Sequence, residues 1–198
     1  MKKTLFYSIA LLTACTMLMV GCQPKDEPQT PGQTENPQDT TDVKPEVKPA
    51  GVLFYYQFDI SDDMREAGEY IVTYYDKDGQ VQTEKLTDGT TWKKAIIAGY
   101  PTKFGVKVNM ALKADFDPTK YEVFNALRSY QYKAYCVDEQ GNELKGGKAT
   151  SYTSPATPIN MASDKIEGYF TKYSETPFHQ MVLIVDEDCN MEYKGEWE

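Results

Sequence analysis

The run from Lys103 to Ala114 constrains this chain more than any other stretch. Phe104, Val106, Val108, Met110 and Leu112 alternate with Lys103, Gly105, Lys107, Asn109, Ala111 and Lys113. A period of two sends one face into a core and the other into water, whereas a helix would need a period near 3.6. The run therefore predicts an antiparallel strand in a half-buried sheet. Such a strand is not stable alone, because its apolar face needs a second layer and its edges need partners.

The partners are legible nearby. Val52–Ile60 and Glu69–Asp76 are β-branched and aromatic, as strands prefer. Ser129–Val137 repeats the alternation, with Tyr130, Tyr132, Ala134 and Cys136 on one side and Gln131, Lys133 and Tyr135 on the other. His179–Asp186 contains the unbroken apolar run Met181 to Val185, which reads as a central strand. Three turns opened by Asp separate these runs: Asp76-Lys77-Asp78-Gly79, Asp138-Glu139-Gln140-Gly141 and Asp186-Glu187-Asp188-Cys189. In the first two, Gly supplies the left-handed residue such a turn needs. One helix is expected over Asp164–Tyr173, with Ser163 as N-cap and Ile166, Tyr169, Phe170 and Tyr173 on one stripe. Several short strands, regular turns and one short helix predict an all-β, antiparallel β-sandwich.

That domain occupies residues 51–198. Before it, from 22 to 50, lie Pro24, Pro28, Pro31, Pro37, Pro45 and Pro49, no aromatic residue, and only Val43, Val47 and Ala50 as apolar side chains after Cys22. This segment cannot bury enough surface to offset its ordering entropy, so it is expected to be a disordered tether. Residues 1–21 begin with Lys2 and Lys3, continue as an uncharged apolar run from Leu5 to Val20, and end on the small Gly21. This is the layout of a signal peptide, and the run is short of the roughly 20 residues a membrane span needs.

Met19-Val20-Gly21-Cys22 resembles the lipobox of bacterial lipoproteins, with Met where Leu is usual. Leu12-Thr13-Ala14-Cys15 fits the box by letters, but cleavage there would leave apolar residues 16–20 at the mature start. The resemblance implies cleavage before Cys22 and acylation of its thiol and new amino terminus. Several acyl chains, each contributing about 0.8 kcal/mol per buried CH₂, anchor stably. Lys25, Asp26 and Glu27 follow, and this triplet is similar to the surface-export signal of Bacteroidetes lipoproteins. It implies a lipid-anchored outer-membrane protein facing the cell exterior. Tyr130-Gln131-Tyr132-Lys133-Ala134-Tyr135-Cys136-Val137 with Asp138 and Gly141 resembles a late strand of fibronectin type III and immunoglobulin-like modules, though without the full tyrosine-corner spacing. It implies an immunoglobulin-like sandwich and carries no catalytic residues.

Lys and Arg total 21 against 30 Asp and Glu, a net charge of −9. That balance argues against a nucleic-acid partner, which needs a clustered basic footprint. The single histidine, His179, stands without a Gly-x-Ser-x-Gly elbow or a cysteine-protease signature. It reads as a strand-end residue satisfied by backbone or solvent. The acids Asp62/Asp63, Asp76/Asp78, Asp115/Asp117 and Asp186/Glu187/Asp188 fall at expected turns, where Asp caps local backbone groups. A calcium loop would place Glu six residues beyond Gly79, and that position is Lys85. No metal, cofactor or catalytic residue is assigned.

Cys136 and Cys189 form a candidate disulfide in an exported protein; two buried thiols are the alternative. Tyr55, Tyr75 and Tyr135 lie opposite the inferred core and form a candidate binding face for a glycan or a protein ligand. Trp92 reads as a core or edge residue, and Trp197 as either pinned or free. The sequence thus favours a surface-tethered, non-catalytic binding or adhesion module. The alternative is a structural or accessory lipoprotein of an outer-membrane complex.

Overall fold

A computed structural model describes residues 48–197. Cys22, Lys25, Asp26, Glu27, the signal segment and nearly all of the tether lie outside the described residues.

The alternating runs become the strands of two layers. β1 (Gly51–Ile60), β4 (Thr91–Ala98), β7 (Arg128–Val137) and β8 (Ala149–Thr153) form one antiparallel sheet in the order β4-β1-β7-β8. β2 (Gly68–Tyr75), β3 (Val81–Lys85), β5 (Thr102–Leu112), β10 (His179–Val185) and β11 (Met191–Lys194) form the other, in the order β11-β10-β5-β2-β3. β6 (Phe124–Ala126) and β9 (Ile159–Met161) pair as a small ribbon. The protein is an all-β, antiparallel sandwich. Its first strand is central, flanked by β4 and β7, whereas the immunoglobulin order places its first strand at an edge.

The core lies between the layers. Val52, Phe54, Tyr56, Phe58 and Ile60 of β1 are buried, and they face Phe104, Val106, Val108 and Met110 of β5. The Phe54 and Phe104 rings meet across the gap at 5.1 Å with planes 12° apart. Each such fully buried side chain contributes about 1.5–3 kcal/mol. At one edge Trp92 and Tyr74 close the gap, and their polar atoms converge on Glu84. Trp92 Nε1 donates to Oε2 at 3.0 Å, Tyr74 Oη to Oε1 at 2.7 Å, and Lys94 Nζ to Oε1 at 2.5 Å. Burial raises the Glu84 pKa, but these three donors together outweigh it and hold the carboxyl below its usual range.

Among the described residues two α-helices are present rather than one. α1 (Asp62–Ala67) is capped by Ser61, whose Oγ accepts from the Met64 N–H at 3.2 Å, and it buries Met64 and Ala67. Asp62 and Asp63 sit in its first turn, where acids are favoured, rather than in a loop. α2 (Ser163–Glu175) starts one residue earlier than expected. Ala162 is its N-cap and supplies no side-chain bond, so Ser163 is already helical. Its buried residues are Ile166 and Phe170. Gly68 admits the Phe170 ring: a Cβ there would lie 2.6 Å from Cε1.

The three Asp-opened turns share one geometry. Asp76, Asp138 and Asp186 each accept two backbone N–H groups on Oδ1, from the residues two and four positions on, at 2.8–3.0 Å. The fourth residue of each is left-handed: Gly79 (φ 73°), Gly141 (φ 81°) and Cys189 (φ 58°). The turn hydrogen bonds hold all three carboxyls below their ordinary pKa, led by the Gln80 and Asn142 amides for Asp76 and Asp138 and by the Asn190 side chain for Asp186.

Candidate functional site

The expected tyrosine face is divided by the fold. Tyr55 and Tyr135 project from the outer side of the four-stranded sheet, where Tyr55 pairs with Lys133 and Tyr135 with Leu53. Both are half-buried. The Tyr55 hydroxyl donates to Gln57 Oε1 at 2.5 Å, Gln57 Nε2 donates to Asp59 at 3.0 Å, and Thr91 Oγ1 donates to Asp59 at 2.6 Å. One end of this face is thus a self-satisfied polar network. The other end carries Leu53, Tyr135 and the exposed Ile97.

Tyr75 does not belong to that face. It lies on the opposite sheet and is only 4% exposed, because Trp197 stacks on it with ring centroids 4.3 Å apart and planes 2° apart. Lys103 Nζ lies 4.4 Å from the Tyr75 ring centre and Lys107 Nζ 5.5 Å from that of Trp197. The glycine in the alternation of β5 is what admits this stack. A Cβ on Gly105 would stand 3.0 Å from the Trp197 ring and 3.1 Å from that of Tyr75. Trp197 is therefore pinned, beyond β11 rather than within it.

Cys136 and Cys189 are brought together as buried free thiols. The Cys136 N–H donates to the Lys148 carbonyl, and Lys148 Nζ reaches the Asp188 carbonyl at 2.7 Å and Asn190 Oδ1 at 2.6 Å. Burial, reinforced by hydrogen-bonding contact with Cys136, pushes the Cys189 thiol up to about 11.

His179 lies inside the sandwich mouth, its ring 3.8 Å from that of Tyr130 and 5.7 Å from that of Tyr56. Burial, with a smaller push from the Arg128 charge, lowers its pKa to about 4, so the ring is neutral at pH 7. Its Nε2 and the Tyr56 hydroxyl have no hydrogen-bond partner among the described residues. The expectation of a satisfied strand-end histidine is corrected here. The aromatic crowd that buries the ring offers faces rather than acceptors.

In front of Tyr130 opens a hollow of about 290 Å³ between the start of β7, the segment after β8, β9 and α2. Arg128, Tyr130, Ser154, Ile159, Tyr169 and Tyr173 line it. Helical spacing puts Tyr169 and Tyr173 one turn apart on α2, and their rings meet edge to face at 5.2 Å. Burial pushes the Tyr169 hydroxyl up to about 12. Arg128 Nη1 donates to the Phe178 carbonyl at 2.8 Å, and its guanidinium carbon lies 5.9 Å from the Tyr173 ring centre and 5.2 Å from that of Phe178. The side chain is exposed and forms no ion pair among the described residues. From Tyr130 the aromatic wall continues along the sandwich mouth, with Tyr152 at 5.6 Å, then Tyr132, then Tyr193, whose ring is parallel to that of Tyr132 within 8°. Tyr152 and Tyr193 are 45% and 50% exposed.

Sequence reasoning assigns Tyr130, Tyr169 and Tyr173 to the core and passes over Arg128. The available signal is compositional: Arg65 and Arg128 are the only arginines of the chain. Among the described residues no group of three or more His, Cys, Asp or Glu is placed to hold a metal ion, and no helix is long and apolar enough to cross a membrane. Comparison with protein-family models, with curated proteins and with solved structures finds no match for this chain.

Proposed function

We propose that this chain is a non-catalytic binding or adhesion module, anchored to the outer membrane through acylated Cys22 and held outward by residues 22–50. It takes a glycan or protein ligand in the hollow beside Arg128. The carrying observation is that hollow itself. It joins an exposed guanidinium without an ion pair to the faces of Tyr130, Tyr169 and Tyr173. Binding sites are concave, largely apolar and aromatic, with a few fixed polar groups that orient the ligand.

The test is to display the purified full-length chain against arrays of dietary and mucin glycans and extracellular-matrix proteins. The reading expects a specific hit that Tyr173→Ala weakens about tenfold or more, the loss of one stacked aromatic contact and its shape. A hit indifferent to Tyr173→Ala and Arg128→Gln would refute this site.

A second reading is favoured by one observation, the exposed Ile97 beside the half-buried Leu53 and Tyr135. An accessory lipoprotein would dock a partner subunit there. Tyr135→Ala would then release a neighbour captured by crosslinking in the native membrane, while leaving array binding intact.

A further inference from the structure

We infer that the hollow beside Arg128 takes a ligand bearing a carboxylate on a ring of pyranose size. The inference rests on the reading of this hollow as the binding site and narrows its ligand class.

The charge comes first. Lys and Arg are outnumbered 21 to 30 in this chain, so a cation here has many acids to pair with. Arg128 nevertheless pairs with none among the described residues. The fold holds it on an aromatic wall, with one Nη committed to the Phe178 carbonyl. Nη1 is the guanidinium nitrogen that bonds there, so the Nε and Nη2 N–H groups, parallel on one edge of the fork, have no protein partner among the described residues. Such an edge matches the two oxygens of a carboxylate, and arginine keeps its charge at every accessible pH. Burial raises the pKa of Tyr130 and Tyr169 and lowers that of His179, and the Arg128 charge pulls all three downward. His179 is already neutral at pH 7, so it adds no second cation and no competing acid.

The shape comes second. A hollow of about 290 Å³ sits at the lower limit of small-molecule pockets, which hold roughly 300–1,000 Å³. It has room for one ring and its substituents. Its walls alternate in chemistry: Tyr130, Tyr173 and Ile159 offer apolar faces, while Ser154 offers a hydroxyl. Ser154 Oγ accepts from the Tyr130 N–H at 2.9 Å and keeps its own proton to donate. A pyranose ring has the same division, with C–H faces above and below and hydroxyls around its rim. A small inorganic anion would leave the tyrosine faces unused, and an apolar ring would leave the guanidinium unanswered.

The experiment is calorimetric titration of the full-length chain in detergent with four probes: sodium D-glucuronate, its methyl ester, D-glucose and inorganic phosphate. The expected result is glucuronate binding about tenfold or more tighter than its ester or glucose, the usual margin of a charge-assisted bidentate pair. Glucuronate affinity should fall as salt rises, with phosphate weaker than glucuronate. Arg128→Gln should remove the difference between glucuronate and its ester, and Arg128→Lys should restore part of it. If Arg128→Gln does not fold, the comparison of acid with ester on the unaltered chain decides alone. Equal binding of glucose, ester and glucuronate, all lost in Tyr173→Ala, would overturn the anionic class and leave the binding module standing. Phosphate equal to glucuronate would overturn the ring. No saturable binding of any probe, together with arrays blind to Tyr173→Ala, would overturn both readings.

Discussion

Oxidation should join Cys136 to Cys189 and stiffen the whole sandwich. The reason is visible in a comparison the molecule makes internally. Three turns of the same geometry place their fourth residue in the left-handed region, and two use glycine, at Gly79 and Gly141. The third uses Cys189 at φ 58°, where a side chain costs about 1–2 kcal/mol. The thiol that bears this cost is 2% exposed, in contact with Cys136 and anchored by Lys148 on both flanks. In the reaction each cysteine gives up one proton and one electron to an exogenous disulfide such as oxidised glutathione, which leaves as two thiols. The bond would close a loop of about 54 residues, which in the chain-entropy model is worth about 4 kcal/mol. For a domain of roughly 150 residues each kcal/mol moves the unfolding midpoint by about 2–4 °C, so the expected rise is about 8–16 °C. The assay is thermal unfolding by circular dichroism after oxidation, with and without reductant, beside thiol counting on the same samples. Cys136→Ala should abolish the difference between oxidised and reduced samples. Equal midpoints, with no loss of two titratable thiols on oxidation, would refute the reasoning and leave Cys189 as strain without a product.

Further outcomes are expected. The only histidine, His179, should titrate near 4 by NMR, and a value near 6.5 would mean the ring is not buried as described. Between pH 6.5 and 4 the unfolded chain then binds a proton that the folded chain does not, so stability falls as pH drops through that window. The loss is at most about 3 kcal/mol, and less for a ring that keeps some exposure; His179→Phe should flatten the profile measured by urea unfolding. Gly105→Val should push Trp197 off the sheet and raise the exposure of Tyr75, costing about 1–3 kcal/mol. In Trp197→Ala the same valine should cost less, the Met181 carbonyl 3.1 Å from that Cβ keeping the rest of the cost, and fully additive losses in urea midpoints would contradict the contact. Cys22→Ser should abolish incorporation of labelled palmitate and move the protein out of the membrane fraction, and retention of label would count against the lipid anchor.

Much of the fold is legible in the order of residues alone, and the reason is physical. Along β1, β5 and β7 burial largely follows from which of two faces a residue occupies, and a period of two records that choice directly in the sequence, while β10 is legible as the unbroken apolar run of a strand covered on both faces. The Asp-opened turns are equally legible, because a side-chain acceptor and a left-handed residue are local requirements. β3, β8 and β11 are not, because edge strands are wet on several sides and keep no alternation. β4 is hidden because Lys94 occupies an inward position made tolerable by Glu84 on β3, a partner ten residues away, and by the Tyr74 ring on β2. The site lies further out of reach. Tyr75 reads as exposed on its strand, and only the return of the C-terminus buries it beneath Trp197. Tyr169 and Tyr173 read as core on their helix, and only the approach of β7 turns them into the wall of a hollow around Arg128. Local periodicity reports which face of an element meets the core, but not which distant segment arrives to cover the other face or leaves it open. Those contacts join residues far apart in the chain, and tertiary packing alone decides them.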